Sequence, residues 1–197
     1  MAFLFVHVPK TAGNSMQAIL RQYSEDDILV NREGGQDGVE RFGVRNTVLG
    51  VEKHSRLAEY RDALGQERFD HFYKFSCVRN PWDRMVSLYF SPHRGRERWN
   101  PRQFERLVES AQSAADILRL DAGDSDPFGN VDSVIRYEQL NEDFRVVAER
   151  MGIEAPELPI YNRSSREHYS QYYDARSRDL VARRHAEDIA RFSYTFD

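Results

Sequence analysis

Several things are scarce in this chain of 197 residues, and each scarcity removes a class of answers. Cysteine occurs once, at Cys77, so no internal disulfide can staple the fold, and a cysteine inside an apolar run reads as a buried, inert thiol. No apolar stretch nears the ~20 residues that cross a bilayer. The first strand starts at Phe3, which leaves no room for a leader peptide, so a soluble cytoplasmic protein is expected. Positive charge is not in excess either: 28 Lys and Arg face 32 Asp and Glu, a net charge of -4, so the field of the whole chain draws neither nucleic acid nor an anionic membrane. Any anion site must be local. The aspartate-rich stretch DAGDSDPFGN lacks the terminal glutamate and the spacing of a calcium loop, and no metal is expected. No internal repeat and no linker-like break in composition divides the chain, which fits a single domain over 1–197.

What is present begins with FLFVHVPKTAGNSMQAIL, residues 3–20. Phe3, Leu4, Phe5, Val6 and Val8 form the apolar run of a strand covered on both faces in a parallel sheet. Pro9 ends it, Gly13 gives room for a tight curl, Asn14 or Ser15 can cap a helix, and Met16, Ile19, Leu20 and Tyr23 recur at helical spacing. A loop feeding a helix N-terminus offers unpaired N–H groups and partial positive charge. Lys10 adds a full charge, so the turn reads as an anion site. It is not a nucleotide loop of the G-x-x-x-x-G-K-[ST] kind, because in PKTAGNS the lysine precedes the glycine.

The plan repeats along the chain. Residues 24–46 are polar, carry glycines and have no period, which predicts an irregular loop. TVLGVEK, 47–53, predicts a second strand with His54 and Ser55 at its C-terminal end, where ligands sit in open parallel sheets. Ser55 can cap a helix over 56–64 that Gly65 stops. FYKFSCV then RNPWDRMVSLYF, 72–90, predict a strand and a helix with Asn80 as cap and Pro81 at the first helical position. Arg94, Arg96, Arg98, Arg102 and Arg106 crowd around Trp99. That stretch is either an acceptor site, with Trp99 on a sugar ring and guanidiniums on acidic groups, or a solvated charged loop.

Helical spacing starts at Phe104 and can run to Leu120. VDSVIRY, 131–137, predicts a strand, and Leu140, Phe144, Val147 and Met151 a helix ended by Gly152. After a proline-bearing loop over 153–163, the polar and aromatic density of NRSSREHYSQYYD marks a site, and a last helix is predicted over 175–192. Alternating strands and helices give an α/β fold with a central, mostly parallel sheet flanked by helices.

The strand, Lys10, small-residue turn and helix-start hydroxyl resemble the 5′-phosphosulfate loop of sulfotransferases. HVPKTAGNS is closest to the HVPKTAGTS pattern of the carbohydrate group that includes the heparan sulfate 2-O enzymes. Arg79 and Ser87, within RNPWDRMVS, match the 3′-phosphate site of the same family residue by residue. The likeness continues more softly through VDSVIRYEQL, LPIYNRSSREHYSQYYD and FSYTF, so it covers nearly the whole chain. Asn14 departs from the usual Thr, though both are small, polar and able to cap. The chain is also shorter than most animal members and lacks the Golgi anchor that eukaryotic members usually carry, which resembles a bacterial-type soluble version without their acceptor-binding extensions.

The resemblance implies a P-loop-kinase-like sulfotransferase fold and a donor, 3′-phosphoadenosine 5′-phosphosulfate (PAPS). Its sulfuryl group would pass to a hydroxyl of a saccharide or glycoconjugate, leaving the bisphosphate PAP, with no metal required. Lys10 would stabilise the leaving phosphate. Thr11, Ala12, Gly13, Asn14 and Ser15 would hold the 5′-phosphosulfate, Arg79 and Ser87 the 3′-phosphate, and Arg163, Ser164 and Ser165 would close on the nucleotide. His54 suits the base that the acceptor needs, because it titrates near neutrality at a strand end beside the site, where family members also carry a histidine. Glu52, two residues earlier, is the alternative base. His7 reads as a structural histidine bonded to backbone or cofactor. Arg94, Arg96, Trp99, Glu52 and His168 are candidate acceptor contacts. Two other readings stay open. An ATP-dependent kinase would want a Walker loop and magnesium carboxylates, neither of which is evident, and a non-catalytic nucleotide-binding module would have no use for Lys10 and His54 together.

Overall fold

The computed structural model describes residues 1–24, 27–31, 41–46, 49–91, 98–154, 157–158 and 166–197, with 27–31 and 41–46 described as backbone. Its organising feature is a parallel sheet of β1 (Phe3–Val6), β5 (Tyr73–Val78) and β6 (Ser133–Arg136), in the order β1-β5-β6. Register aligns Phe3 with Tyr73 and Phe75 with Ser133. Each strand passes through a short turn into a helix: α1 (Gly13–Leu20), α4 (Pro81–Tyr89) and α7 (Leu140–Met151). Parallel strands need such crossovers, and they place all three turns at the same edge of the sheet. The α/β fold, with a parallel sheet flanked by helices, is as the sequence predicts.

The two-residue period of the strands divides the core. Phe75 and Cys77 of β5 face Met16, Ile19 and Leu20 of α1 and Phe144, Val147 and Met151 of α7. Val6 and Val78 face the other way, onto a cluster with Leu57 and Leu64 of α2 (Leu57–Leu64), Phe69 of α3 (Gln66–His71), and Ile117 and Leu118 of α6 (Ala114–Leu118). A fully buried side chain such as Phe75 contributes about 1.5–3 kcal/mol relative to exposure. Ser76, the polar residue between them, is satisfied by donating its hydroxyl to Val6 O at 2.8 Å, which pins β5 to β1. β1 lies at an edge of the described sheet. Phe3, Leu4 and Phe5 are therefore half-buried and not enclosed on both faces as the apolar run suggests.

A third cluster joins α4 to α5 (Pro101–Ser110) and α8 (Ala175–Arg184) through Trp82, Met85, Tyr89, Phe104, Leu107 and Val181. Local signals worked where the cap chemistry is local. Asn80 Oδ1 accepts from Trp82 N at 3.1 Å with Pro81 in the first turn, and Gly65 (φ 76°) and Gly152 (φ 72°) take the positive φ that ends α2 and α7.

Four expectations are corrected. Residues 24–46 are not an irregular loop, because β2 (Asp27–Asn31) and β3 (Arg41–Asn46) pair antiparallel. The strand expected over 47–53 is only β4 (Val51–Glu52); it pairs antiparallel with β3 in a second sheet, and Thr47 and Val48 lie outside the described residues. Ser55 does not cap α2: its hydroxyl accepts from Glu52 N at 3.0 Å, and Arg56 is the capping position. The long helices predicted over 104–120 and 175–192 are each broken. Ser113 starts α6 with a capping box to Asp116, and His185 separates α8 from α9 (Ala186–Phe192). Both breaks serve one contact, since Asp188 of α9 accepts from Ala114 N (2.9 Å) and Ala115 N (3.0 Å) at the start of α6. No helix among the described residues is long and apolar enough to cross a membrane.

Candidate active site

The first turn, between β1 and α1, is built from backbone strain. Lys10 (φ 70°) and Ala12 (φ 66°) both sit in the left-handed region, which costs a residue with a Cβ about 1–2 kcal/mol. Thr11 offsets part of this, because its buried hydroxyl donates to Val8 O at 2.7 Å and ties the turn to the end of its own strand. The curl is thus at Lys10 and Ala12 and not at Gly13. Gly13 has a different reason: a Cβ there would lie 1.8 Å from His7 Nε2. Neither Asn14 nor Ser15 caps α1. The helix starts earlier than expected, its capping position is Ala12, and no side chain caps it, so the Gly13, Asn14 and Ser15 amides have no partner within the helix. With no acidic residue in the first turn, that end keeps its positive character. Asn14 Oδ1 instead accepts from Lys53 Nζ at 2.7 Å, which brings a second ammonium to the turn.

His54 follows β4 and reaches the same place. Its Nδ1 lies 3.2 Å from His7 O, and a carbonyl can only accept, so Nδ1 carries the proton and Nε2 the lone pair. The residue is exposed overall, but its ring is packed against that of His7, with ring centroids 4.6 Å apart. That partial burial lowers the pKa of His54 below the ordinary histidine value, the bond to His7 O opposes the shift, and the Lys53 charge adds to it. His7 is pushed further down by burial, with His54, Lys53 and Lys10 contributing. Its ring stacks on Phe5 at 5.6 Å, and among the described residues its buried Nδ1 has no hydrogen-bond partner, so that nitrogen makes no bond to backbone.

The second turn, between β5 and α4, is built from charge. Arg79 donates through Nε (2.8 Å) and Nη2 (2.6 Å) to Asp83 Oδ2, through Nη1 to Lys10 O at 3.2 Å, and lies 3.9 Å over the Tyr137 ring. Burial pushes Asp83 up, but Arg79 and Arg166 outweigh it and hold the carboxyl below its ordinary value. Arg166 Nη2 donates to the other oxygen, Asp83 Oδ1. Ser87 is half-buried one turn further along the same face of α4.

The structure therefore joins Lys10, the loop amides, His54 and Arg79 through the carbonyls of His7 and Lys10. Glu52 is exposed, and its backbone bonds Ser55. Trp99 is half-buried between Tyr89, Phe104 and Tyr172, with centroids 4.8, 4.5 and 5.1 Å away. His168 is exposed, with Nδ1 2.8 Å from Ser170 Oγ. Arg94, Arg96, Arg163, Ser164 and Ser165 lie outside the described residues. Sequence reasoning missed Lys53, Asp83 and Arg166. Asp83 was within reach, because a carboxylate four residues after Arg79 is a helical ion-pair spacing. Arg166 gave no local signal, being 83 residues from its partner. No cluster of three or more metal-ligating side chains occurs among the described residues.

No curated protein and no solved structure matches the chain. The sequence profile of the sulfotransferase family does, over residues 2–195, a span that takes in the strained turn, the turn that carries His54 and the arginine turn alike. On that match the chain belongs to the sulfotransferase family and is an enzyme that moves a sulfuryl group to an acceptor hydroxyl.

Proposed function

We propose that this enzyme takes its sulfuryl group from PAPS and delivers it to a hydroxyl of a saccharide or glycoconjugate, with His54 as base and Lys10 as the cation on the leaving phosphate. The observation that carries the reading is the bond from His54 Nδ1–H to His7 O. His7 belongs to the same stretch as the anion turn, so the base and the ammonium of Lys10 are fixed to one short piece of backbone. The uncapped start of α1 fits a terminal phosphosulfate, and the net positive charge of the Arg79 turn fits a second phosphate on the same nucleotide. The saccharide acceptor rests on the likeness of HVPKTAGNS to the carbohydrate group.

Bound there, the donor supplies an activated sulfuryl group for in-line displacement, in which catalysis is mainly positioning and charge stabilisation. His54 Nε2 accepts the acceptor proton, and His7 O holds the ring in the one tautomer that can do so. The Gly13, Asn14 and Ser15 amides orient the 5′ end. Lys10 opposes the negative charge that grows on the bridging oxygen. Thr11 contributes through its backbone, since its hydroxyl proton is committed to Val8 O. Arg79 and Ser87 hold the 3′-phosphate, and the family likeness assigns Arg163, Ser164 and Ser165 to the nucleotide as well.

A ligand that binds only the folded state raises the melting temperature, and at equal concentration a tighter ligand raises it more. PAP should therefore raise it well beyond ADP or AMP at equal concentration, without magnesium. Equal shifts from ADP, or a shift that needs magnesium, would instead favour a nucleotide kinase.

A further inference from the structure

Asp83 poses a problem for any phosphate site at Arg79. A carboxylate held ionised beside an anion repels it, and Asp83 occupies two of the donors that Arg79 could offer. The problem dissolves if the carboxylate is the support for two guanidiniums rather than the partner of one. Oδ2 takes Arg79 and Oδ1 takes Arg166, so the carboxylate holds both side chains on one side of α4 and leaves the trio with one net positive charge. The spacing fits as well: Asp83 and Ser87 are four residues apart on one face of α4, so the guanidinium drawn to Asp83 is drawn to the Ser87 face. Arg166 is itself mostly enclosed, its side chain 12% exposed, and its buried Nε has no hydrogen-bond partner among the described residues. An arginine confined in this way, with donors that Asp83 does not take, is suited to an anion.

We propose that Arg166 is a second ligand of the nucleotide 3′-phosphate, arrayed beside Arg79 by the Asp83 carboxylate. The assignment rests on the nucleotide reading above and extends it to a residue and a geometry: a terminal dianionic phosphate is taken by a pair of guanidiniums on a shared carboxylate. Asp83 is a positioning residue and touches no substrate. Specificity follows, because a nucleotide that lacks the 3′-phosphate gains nothing from Arg166.

The test measures dissociation constants of PAP and of 5′-AMP by calorimetry for the wild type, Arg166→Ala and Arg166→Gln. Glutamine keeps a donor for Asp83 while dropping the charge, and so guards against misfolding of the alanine variant. Both variants should bind PAP about 10- to 100-fold more weakly, the span of one lost charge-assisted hydrogen bond, and bind 5′-AMP within about twofold of the wild type. Equal weakening of both nucleotides would make Arg166 a structural residue, and unchanged PAP binding would remove it from the site; either overturns the proposal. A wild type that does not prefer PAP over 5′-AMP would overturn the nucleotide reading, and this assignment with it.

Discussion

The two turns at the carboxyl edge of the sheet are built by different means. The turn after β1 puts its chemistry in the backbone: two left-handed residues, three amides at an uncapped helix start, and a glycine whose missing Cβ makes room for His7. The turn after β5 is locally ordinary, with an Asn cap and a Pro in the first helical turn, and puts its chemistry in side chains through Arg79, Asp83 and Arg166. On the proposed reading the first surrounds the atoms that react, where geometry must not shift, and the second holds a remote handle, where charge suffices. A strained backbone fixes its donors before the substrate arrives, which is what transition-state stabilisation requires. A set of ion pairs can adjust and mainly supplies affinity.

The sharpest way to separate them is to remove one cation from each. Lys10→Ala should lower turnover by roughly 10² to 10³ while PAP affinity is largely kept, because that charge matters most in the transition state. Arg79→Ala should do the reverse and weaken PAP binding. Turnover and calorimetry on both variants check this, and a shared pattern would erase the distinction. A smaller effect tests the close approach of Gly13 to His7. Gly13→Ala forces a Cβ to within 1.8 Å of the His7 ring and should destabilise the protein by about 1–3 kcal/mol or displace the turn. Adding His7→Ala should restore most of the melting temperature. If the double variant is no more stable than Gly13→Ala, the close approach is not what demands glycine.

This contrast also explains what was legible in the sequence. Side-chain chemistry at short range was readable: Asn80 and Pro81 announced α4 and Gly152 ended α7, whereas Arg79 and Ser87 were paired only by the family likeness. Conformation that side chains do not encode was hidden. Nothing in the letters Lys10 and Ala12 announces a left-handed backbone, and Gly13 drew the attention that belonged to its neighbours. Long-range contacts were hidden for another reason. Asp188 needs the start of α6 and Arg166 needs Asp83, so a helix breaks at His185 and a guanidinium is recruited with no pattern along the chain to show it. The β2–β3 pairing escaped because its signals are short: three apolar residues, Ile28–Val30, in one strand and the two alternating positions Phe42 and Val44 in the other, set among polar residues and glycines.

The account turns on His54 as a neutral base held by His7 O, and the most direct measurement is kcat/KM against pH for the wild type, His54→Ala and Glu52→Gln. Partial burial lowers the His54 pKa, so the ring stays unprotonated to a lower pH than a free histidine, and the acid limb of the wild-type profile should lie below about 6.5. His54→Ala should lose about 10² to 10⁴ in rate, lose that limb, and keep its affinity for PAP. Glu52→Gln should retain both rate and limb. A His54→Ala variant with near-normal turnover and an unchanged acid limb, together with a large loss in Glu52→Gln, would contradict the account and make the carboxylate the base.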